Sequence, residues 1–143
     1  MSSLKLLIIN GPNLNLLGSR EPEVYGSDTL EVIQNETTSW AKAKNVATEW
    51  YQSNIEGEIV SKIQEAREAN FDGLIINPAA YSHTSVAILD ALTLFEKPII
   101  EVHISNTNNR EEFRKTKLTA RASTSLLEGF GKKGYILAIE SFL

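Results

Sequence analysis

At 143 residues the chain is long enough for one domain with a proper core and too short for two. Its 42% hydrophobic and 22% charged residues exclude a disordered tail, a collagen-like fibre and a coiled-coil rod. With 14 Lys and Arg against 18 Asp and Glu the net charge is -4, so the positive face of a nucleic-acid binder is not expected. The absence of cysteine excludes disulfides, thiolate nucleophiles, zinc ribbons and iron–sulfur ligation, and two histidines are too few for an all-histidine metal cage. No apolar run approaches the roughly 18 residues of a membrane span. The start of the chain is apolar only briefly before Gly11-Pro12, too short a run for a signal peptide. A cytoplasmic protein with no membrane partner is expected.

In chain order, Leu4–Asn10 reads as a first strand, its nearly continuous apolar run buried on both faces. A long loop rich in Gly, Pro and Asn covers Gly11–Ser27. Asp28-Thr-Leu-Glu31 forms a capping box that starts a helix running to about Lys44. Val46–Ser53 is a second strand, and Ile55, Ile59, Ile63 and Ala66 make the apolar stripe of a second helix. Gly73–Asn77 is a third strand, Ser85–Phe95 a third helix and Pro98–His103 a fourth strand. A polar segment, Ser105–Arg121, carries Arg110, Arg114, Lys115, Lys117 and Arg121. Ala122–Leu127 is a weaker fifth strand and Gly134–Phe142 a last helix. Such alternation predicts an α/β fold, a flavodoxin-like three-layer sandwich with a five-stranded parallel sheet, as one domain over 1–143.

In such sheets ligands bind beyond the carboxyl ends of the strands, at the switch point between strands one and three. The residues leaving those ends are polar: Asn10-Gly11-Pro12-Asn13, Asn77-Pro78 and His103-Ile104-Ser105. Loops are often polar for no further reason. Here Asn13, Asn77, His83, His103 and Ser105 all converge on one crevice, which favours a site.

Two other motifs carry less. Gly129-Phe-Gly-Lys-Lys-Gly134 fits the dinucleotide pattern, but no strand and no ribose-binding acid follow before Leu143, so it reads as a tight turn. His83 and His103 with Asp90 or Glu101 are a conceivable metal set. The surrounding amides and hydroxyls suit a polyhydroxylated ligand better, and no metal is expected.

The first loop is the most informative stretch, and a loop this long in a small domain is usually a lid or a binding loop. A lid over about 17–28 is expected, hinged at Gly18 and Gly26, with Arg20 and Tyr25 on it. The two could be a surface cation and a packing aromatic. A tyrosine serving as a base at neutral pH must lose about three pH units from its ordinary pKa, roughly 4 kcal/mol. One cation about 4 Å away at an effective dielectric near 20 supplies about 4 kcal/mol. An Arg–Tyr pair shielded from water can therefore supply a tyrosinate.

Several motifs together closely resemble the type II 3-dehydroquinate dehydratase family. They are Gly11-Pro-Asn-Leu-Asn-Leu-Leu-Gly18, Arg20-Glu-Pro22 with Tyr25-Gly26, and Asn77-Pro-Ala-Ala-Tyr-Ser-His-Thr-Ser-Val-Ala87. Glu101-Val-His-Ile-Ser-Asn106 with Arg110-Glu-Glu-Phe-Arg114 continues the match, as do Gln52-Ser-Asn-Ile-Glu-Gly57 and Gly134-Tyr135. The resemblance covers essentially the whole chain and implies a flavodoxin-like fold. It also implies a cofactor-free anti elimination of water from 3-dehydroquinate, giving 3-dehydroshikimate through an enolate.

By that resemblance Tyr25 removes the C2 proton, Arg20 lowers its pKa, and Asn13 holds the water that stabilises the enolate oxygen. His83 protonates the departing C1 hydroxyl. Asn77 and the N–H groups of Ile104 and Ser105 bind the substrate carboxylate, His103 and Arg114 contact ring hydroxyls, and Glu101 orients the histidines. The resemblance further implies a homododecamer of four trimers in which Asp90 reaches a neighbouring subunit's site. The chain departs from the common family pattern at Asn108, Lys115, Lys117 and Leu89, none of them a proposed catalytic position.

The residue types agree with that chemistry. A proton α to a ketone needs a base and an oxyanion stabiliser, and hydroxide needs an acid to leave. A Schiff-base route would need a desolvated lysine at the strand ends, where none is expected. A non-catalytic ligand-binding module of the same fold would leave Arg20, Tyr25 and His83 unexplained, and a degenerate paralogue would not be expected to retain all three.

Overall fold

A strand covered on both faces needs apolar side chains on both, and the three central strands of the sheet are of this kind. The computed structural model describes residues 3–19, 23 and 27–143. Among them, β1 (Leu4–Asn10), β2 (Val46–Gln52), β3 (Gly73–Asn77), β4 (Ile99–His103) and β5 (Ser125–Glu128) form one sheet. All pairings are parallel and the strand order is β2-β1-β3-β4-β5. The helices are α1 (Leu30–Ala43), α2 (Glu56–Arg67), α3 (Val86–Thr93) and α4 (Lys133–Glu140). The α/β sandwich with a five-stranded parallel sheet is as the sequence implied.

The period of two along β1 divides the core. Leu6 and Ile8 pack with Ile33 and Ala41 of α1 and with Tyr135, Ala138 and Ile139 of α4. Leu7 and Ile9 face the other way, onto Ile59, Ile63 and Ala66 of α2 and Ile88, Ala91 and Leu92 of α3. Strand order reverses at β1, so β1 and β3 diverge into different loops at their carboxyl ends, with Asn10 and Asn77 in register there. Among the described residues no helix is long and apolar enough to cross a membrane.

Local details differ from the sequence reading in instructive ways. The cap of α1 is Thr29, whose Oγ1 accepts the Val32 N–H at 3.2 Å, and not Asp28. The Asp28 carboxylate pairs instead with Lys132 at 3.1 Å. Ile55 is not part of the apolar stripe: it precedes α2 and is exposed. The fifth strand begins at Ser125 rather than Ala122, because Thr119–Ala122 forms a 3-10 turn whose Thr119 hydroxyl is committed to the interior. The Gly129–Gly134 stretch is a turn packed on the end of β4, with Gly129 N–H donating to His103 C=O and Gly131 N–H to Ile104 C=O. Of the expected lid, residues 20–22 and 24–26 lie outside the described residues, while Leu17 at its edge is buried in the core.

At the switch point the two diverging loops touch backbone to backbone. Gly11 N–H donates to Asn77 C=O at 2.7 Å, and a Cβ on Gly11 would lie 2.4 Å from the Pro78 carbonyl oxygen. Only glycine permits that approach. Gly11→Ala should therefore destabilise the protein by about 1–3 kcal/mol, as overpacking does. Calorimetry should show a lower melting temperature; an unchanged one would mean that the loops part without cost.

Candidate active site

The cleft lies beyond the carboxyl ends of β1, β3 and β4, where the doubly wound topology places binding sites. Asn13, Asn77, His83, His103, Ile104, Ser105 and Arg114 all line it. Glu101 lies behind His103. Asp90 sits exposed on α3 and is not among the residues lining the cleft. Arg20 and Tyr25 lie outside the described residues.

Asn13 is set by the loop after β1. Its backbone is left-handed, with φ 69°, a conformation that asparagine tolerates better than most residues. Its N–H donates to Asn54 Oδ1 at 2.9 Å, and its C=O accepts the Leu16 N–H at 3.0 Å. Gln52, at the end of β2, donates from Nε2 to Gly11 C=O and to Asn54 Oδ1. The loop is thus held from β2.

Asn77 is fixed on both sides. Its Oδ1 accepts the Ala79 N–H at 3.1 Å, where Ala79 itself has φ 53°. Its Nδ2 donates to the Tyr135 hydroxyl at 3.1 Å, and that hydroxyl donates to Asn10 Oδ1. Tyr135 is fully buried, and desolvation pushes its pKa well above the usual tyrosine value, so the hydroxyl stays protonated.

A second network holds the histidines. Glu101 is wholly buried yet accepts three hydrogen bonds: from Ser82 Oγ at 2.7 Å, His103 Nε2 at 2.7 Å and Thr119 Oγ1 at 2.5 Å. A buried carboxylate demands such partners. With Nε2–H committed to Glu101, the free nitrogen of His103 is Nδ1. His83 is arranged the other way round: its Nδ1–H donates to Thr116 C=O at 2.7 Å, which leaves Nε2 for a ligand. The two rings stack with centroids 6.2 Å apart.

His83 titrates below the usual histidine value. Desolvation is the main cause, opposed by the Thr116 carbonyl, with His103, Arg114 and Lys117 adding to the depression. A lowered pKa makes the protonated ring a stronger acid. Glu101 touches His103 directly but reaches His83 only through Ser82, its neighbour in the Ala79–His83 turn.

Sequence reading missed Ser82, Thr119, Tyr135 and Asn54 as partners of the site. Three of them lie inside the quoted motifs, as Ser82 next to His83, Asn54 after Gln52 and Tyr135 after Gly134, which was the available signal. Thr119 had none.

Fold and cleft together define a doubly wound α/β protein with a polar, histidine-bearing cleft at its switch point. The family model described as dehydroquinase class II matches residues 4–143. A 3-dehydroquinate dehydratase of Clostridium botulinum is 51% identical over 138 residues, covering 96% of this chain and 93% of the relative. One of Helicobacter hepaticus is 49% identical over 140 residues, covering 98% and 89%. The crystal structure of a type II dehydroquinase from Butyrivibrio crossotus superposes with a TM-score of 0.96 at 49% identity, covering 99% of this chain and 98% of that one. The chain belongs to the class II dehydroquinase family.

Thr119→Val keeps the shape of the side chain and removes one of the three donors to Glu101. A buried hydrogen bond to a charged group is worth about 1.5–3 kcal/mol, so denaturant unfolding should show a loss of that order. In a Glu101→Gln background, where the amide oxygen still accepts but carries no charge, the cost should fall to about 0.5–1.5 kcal/mol. Equal costs in both backgrounds would show that the hydroxyl does not act through the carboxylate.

Proposed function

We propose that this enzyme eliminates water from 3-dehydroquinate, the activity its family membership carries, by the following division of labour. Tyr25, as a tyrosinate held by Arg20, takes the proton from C2, and the electron pair moves toward the ketone to give an enolate. A water held by Asn13 stabilises the enolate oxygen. The enolate then re-forms the carbonyl, the C1–O bond breaks, and Nε2–H of His83 protonates the departing hydroxyl. The products are 3-dehydroshikimate and water, with Tyr25 protonated and His83 neutral. One proton returned from tyrosine to histidine restores the starting state.

The observation that carries this reading is His83. Its Nδ1 is tied to the Thr116 carbonyl, so Nε2 is the atom able to hand a proton to a ligand in the cleft. The same carbonyl favours the protonated ring. Asn77, Ile104 and Ser105, assigned the substrate carboxylate, and Arg114 and His103, assigned the ring hydroxyls, all line the same cleft as His83. Tyr25 and Arg20 enter through the sequence motifs alone. The homo-oligomer, a dodecamer of four trimers in which Asp90 completes a neighbouring subunit's site, enters through the family resemblance; Asp90 is exposed and does not line this chain's own cleft, which is compatible with that role. The proposed setting is the cytoplasm and the mechanism requires no cofactor.

Activity is read as the ultraviolet absorbance of the conjugated product and should survive both chelators and borohydride added with substrate. His83→Ala should lower kcat by roughly 10²- to 10⁴-fold, the range of general acids. Tyr25→Phe should lower it by several orders of magnitude with the fold intact. Inactivation by borohydride would indicate a lysine imine and overturn the scheme.

For the shared site, Asp90→Ala and Tyr25→Phe subunits are mixed after dissociation and reassembled. Mixed assemblies should regain activity above either parent. Mixed assemblies no more active than the parents would remove Asp90 from the site.

A further inference from the structure

The polar segment that carries Arg114 and Thr116 has little apolar content to hold it. Phe113 is 62% exposed, and residues 112–115 make only a single 3-10 turn. Yet this segment supplies one wall of the cleft and the carbonyl that fixes His83. Something other than hydrophobic packing must set its position.

That role falls to a buried cation. The Lys117 side chain is 7% exposed, and its Nζ lies 3.5 Å from Glu128 Oε2, itself 14% exposed. Nζ also donates to the Arg114 C=O at 3.3 Å. Glu128, the last residue of β5, accepts through Oε1 from the Thr107 N–H at 3.0 Å and from the Thr107 hydroxyl. Thr107 lines the same cleft, two residues beyond Ser105. One ion pair therefore joins the Arg114 wall, the end of β5 and the Ser105 wall. Next to it, the Leu118 N–H donates to Ser82 C=O at 2.7 Å, which ties the segment to the turn that bears His83.

We propose that Lys117 and Glu128 are positioning residues for the dehydration, a buried brace that sets the distance between the two walls of the cleft and the surroundings of the His83 ring. An ammonium that donates to a backbone carbonyl and pairs in charge with a carboxylate holds both partners near one another. Loss of either member leaves the other, largely shielded from water, without its counter-charge, which costs more than loss of an exposed pair.

The brace is also part of the charge field at His83. From β4 the ring faces His103, and behind it Glu101; from the polar segment it faces the Thr116 carbonyl, Arg114 and Lys117. Arg110 lines the same cleft. Burial works to raise the Glu128 carboxyl, but the two Thr107 donors, then Lys117 and His103, hold it below the usual carboxylate range, so Glu128 is an anion. Lys117 without Glu128 would be a stronger cation toward His83, and Glu128 without Lys117 would leave the anion uncompensated.

The proposal rests on the reading of His83 as the acid only for its effect on rate, so the test has two independent readouts. Histidine labelled with ¹³C gives two ring signals, titrated in the free enzyme, with His103→Gln identifying His83. Lys117→Met should move the His83 midpoint up and Glu128→Gln should move it down, while the double variant lies between. With 3-dehydroquinate as substrate, each single variant should raise KM roughly tenfold and change kcat by less than about threefold, because wall spacing affects binding first.

Both midpoints shifting in one direction, or an unchanged KM in both folded variants, would overturn the proposal. If Lys117→Met does not fold, Glu128→Gln carries the test alone, since glutamine still accepts from Thr107. An unmoved midpoint with an unmoved KM in that variant would be decisive against it. A failure of His83 as acid would appear instead in the His83→Ala kcat and leave the free-enzyme titrations unaltered.

Discussion

A carboxylate with no solvent around it is the constraint on which the rest of the cleft depends. Glu101 is fully buried in the central part of the sheet, where an unpartnered charge would be prohibitive. The chain meets that demand from three places far apart in sequence: the turn after β3, β4 itself and the 3-10 turn before β5. Two of the donors belong to segments that carry cleft residues, the turn with His83 and β4 with His103. Satisfying the charge and assembling the site are therefore one event, and a fold that misplaced any of the three segments would leave the carboxylate short of a hydrogen bond. The arrangement also fixes which nitrogen of His103 faces the ligand.

The amide network on the other side of the cleft follows the same logic with neutral groups. Asn10 and Asn77 end adjacent parallel strands in register, so their side chains arrive beside each other as a consequence of the sheet. The Tyr135 hydroxyl, brought by α4, lies between them. Desolvation keeps that hydroxyl protonated, so it can accept from one amide and donate to the other. Sheet register, helix packing and the orientation of Asn77 are thus coupled through one phenol.

What was legible in the sequence follows from how far each signal reaches. β1 and β3 could be bounded closely because both faces are buried and the apolar run starts and stops with burial. β5 could not, because it is short and half-exposed, and Thr119, which sets where it begins, is a polar residue spent on Glu101. The same holds for the site. Asn13, Asn77, His83 and His103 stand at or just beyond strand ends, where topology alone predicts a crevice. Ser82 and Thr119 act through a residue 19 and 18 positions away, and no periodicity carries that information. Asp28 leaves the cap to Thr29 because its partner, Lys132, comes from the other end of the chain.

The charges around the cleft also act on His83. The chain as a whole is anionic, at -4, yet His83 faces Arg114, Lys117 and His103. Desolvation, with Arg114 and Lys117 adding to it, holds the ring below its ordinary pKa, while the Thr116 carbonyl works against them. An anion seated against the same cations reverses their contribution and raises the ring's affinity for a proton. Because linkage is reciprocal, a protonated His83 must favour that anion by the same free energy. On the proposed assignment of His83 as the acid, a carboxylate seated there would recruit the proton that the proposed elimination needs.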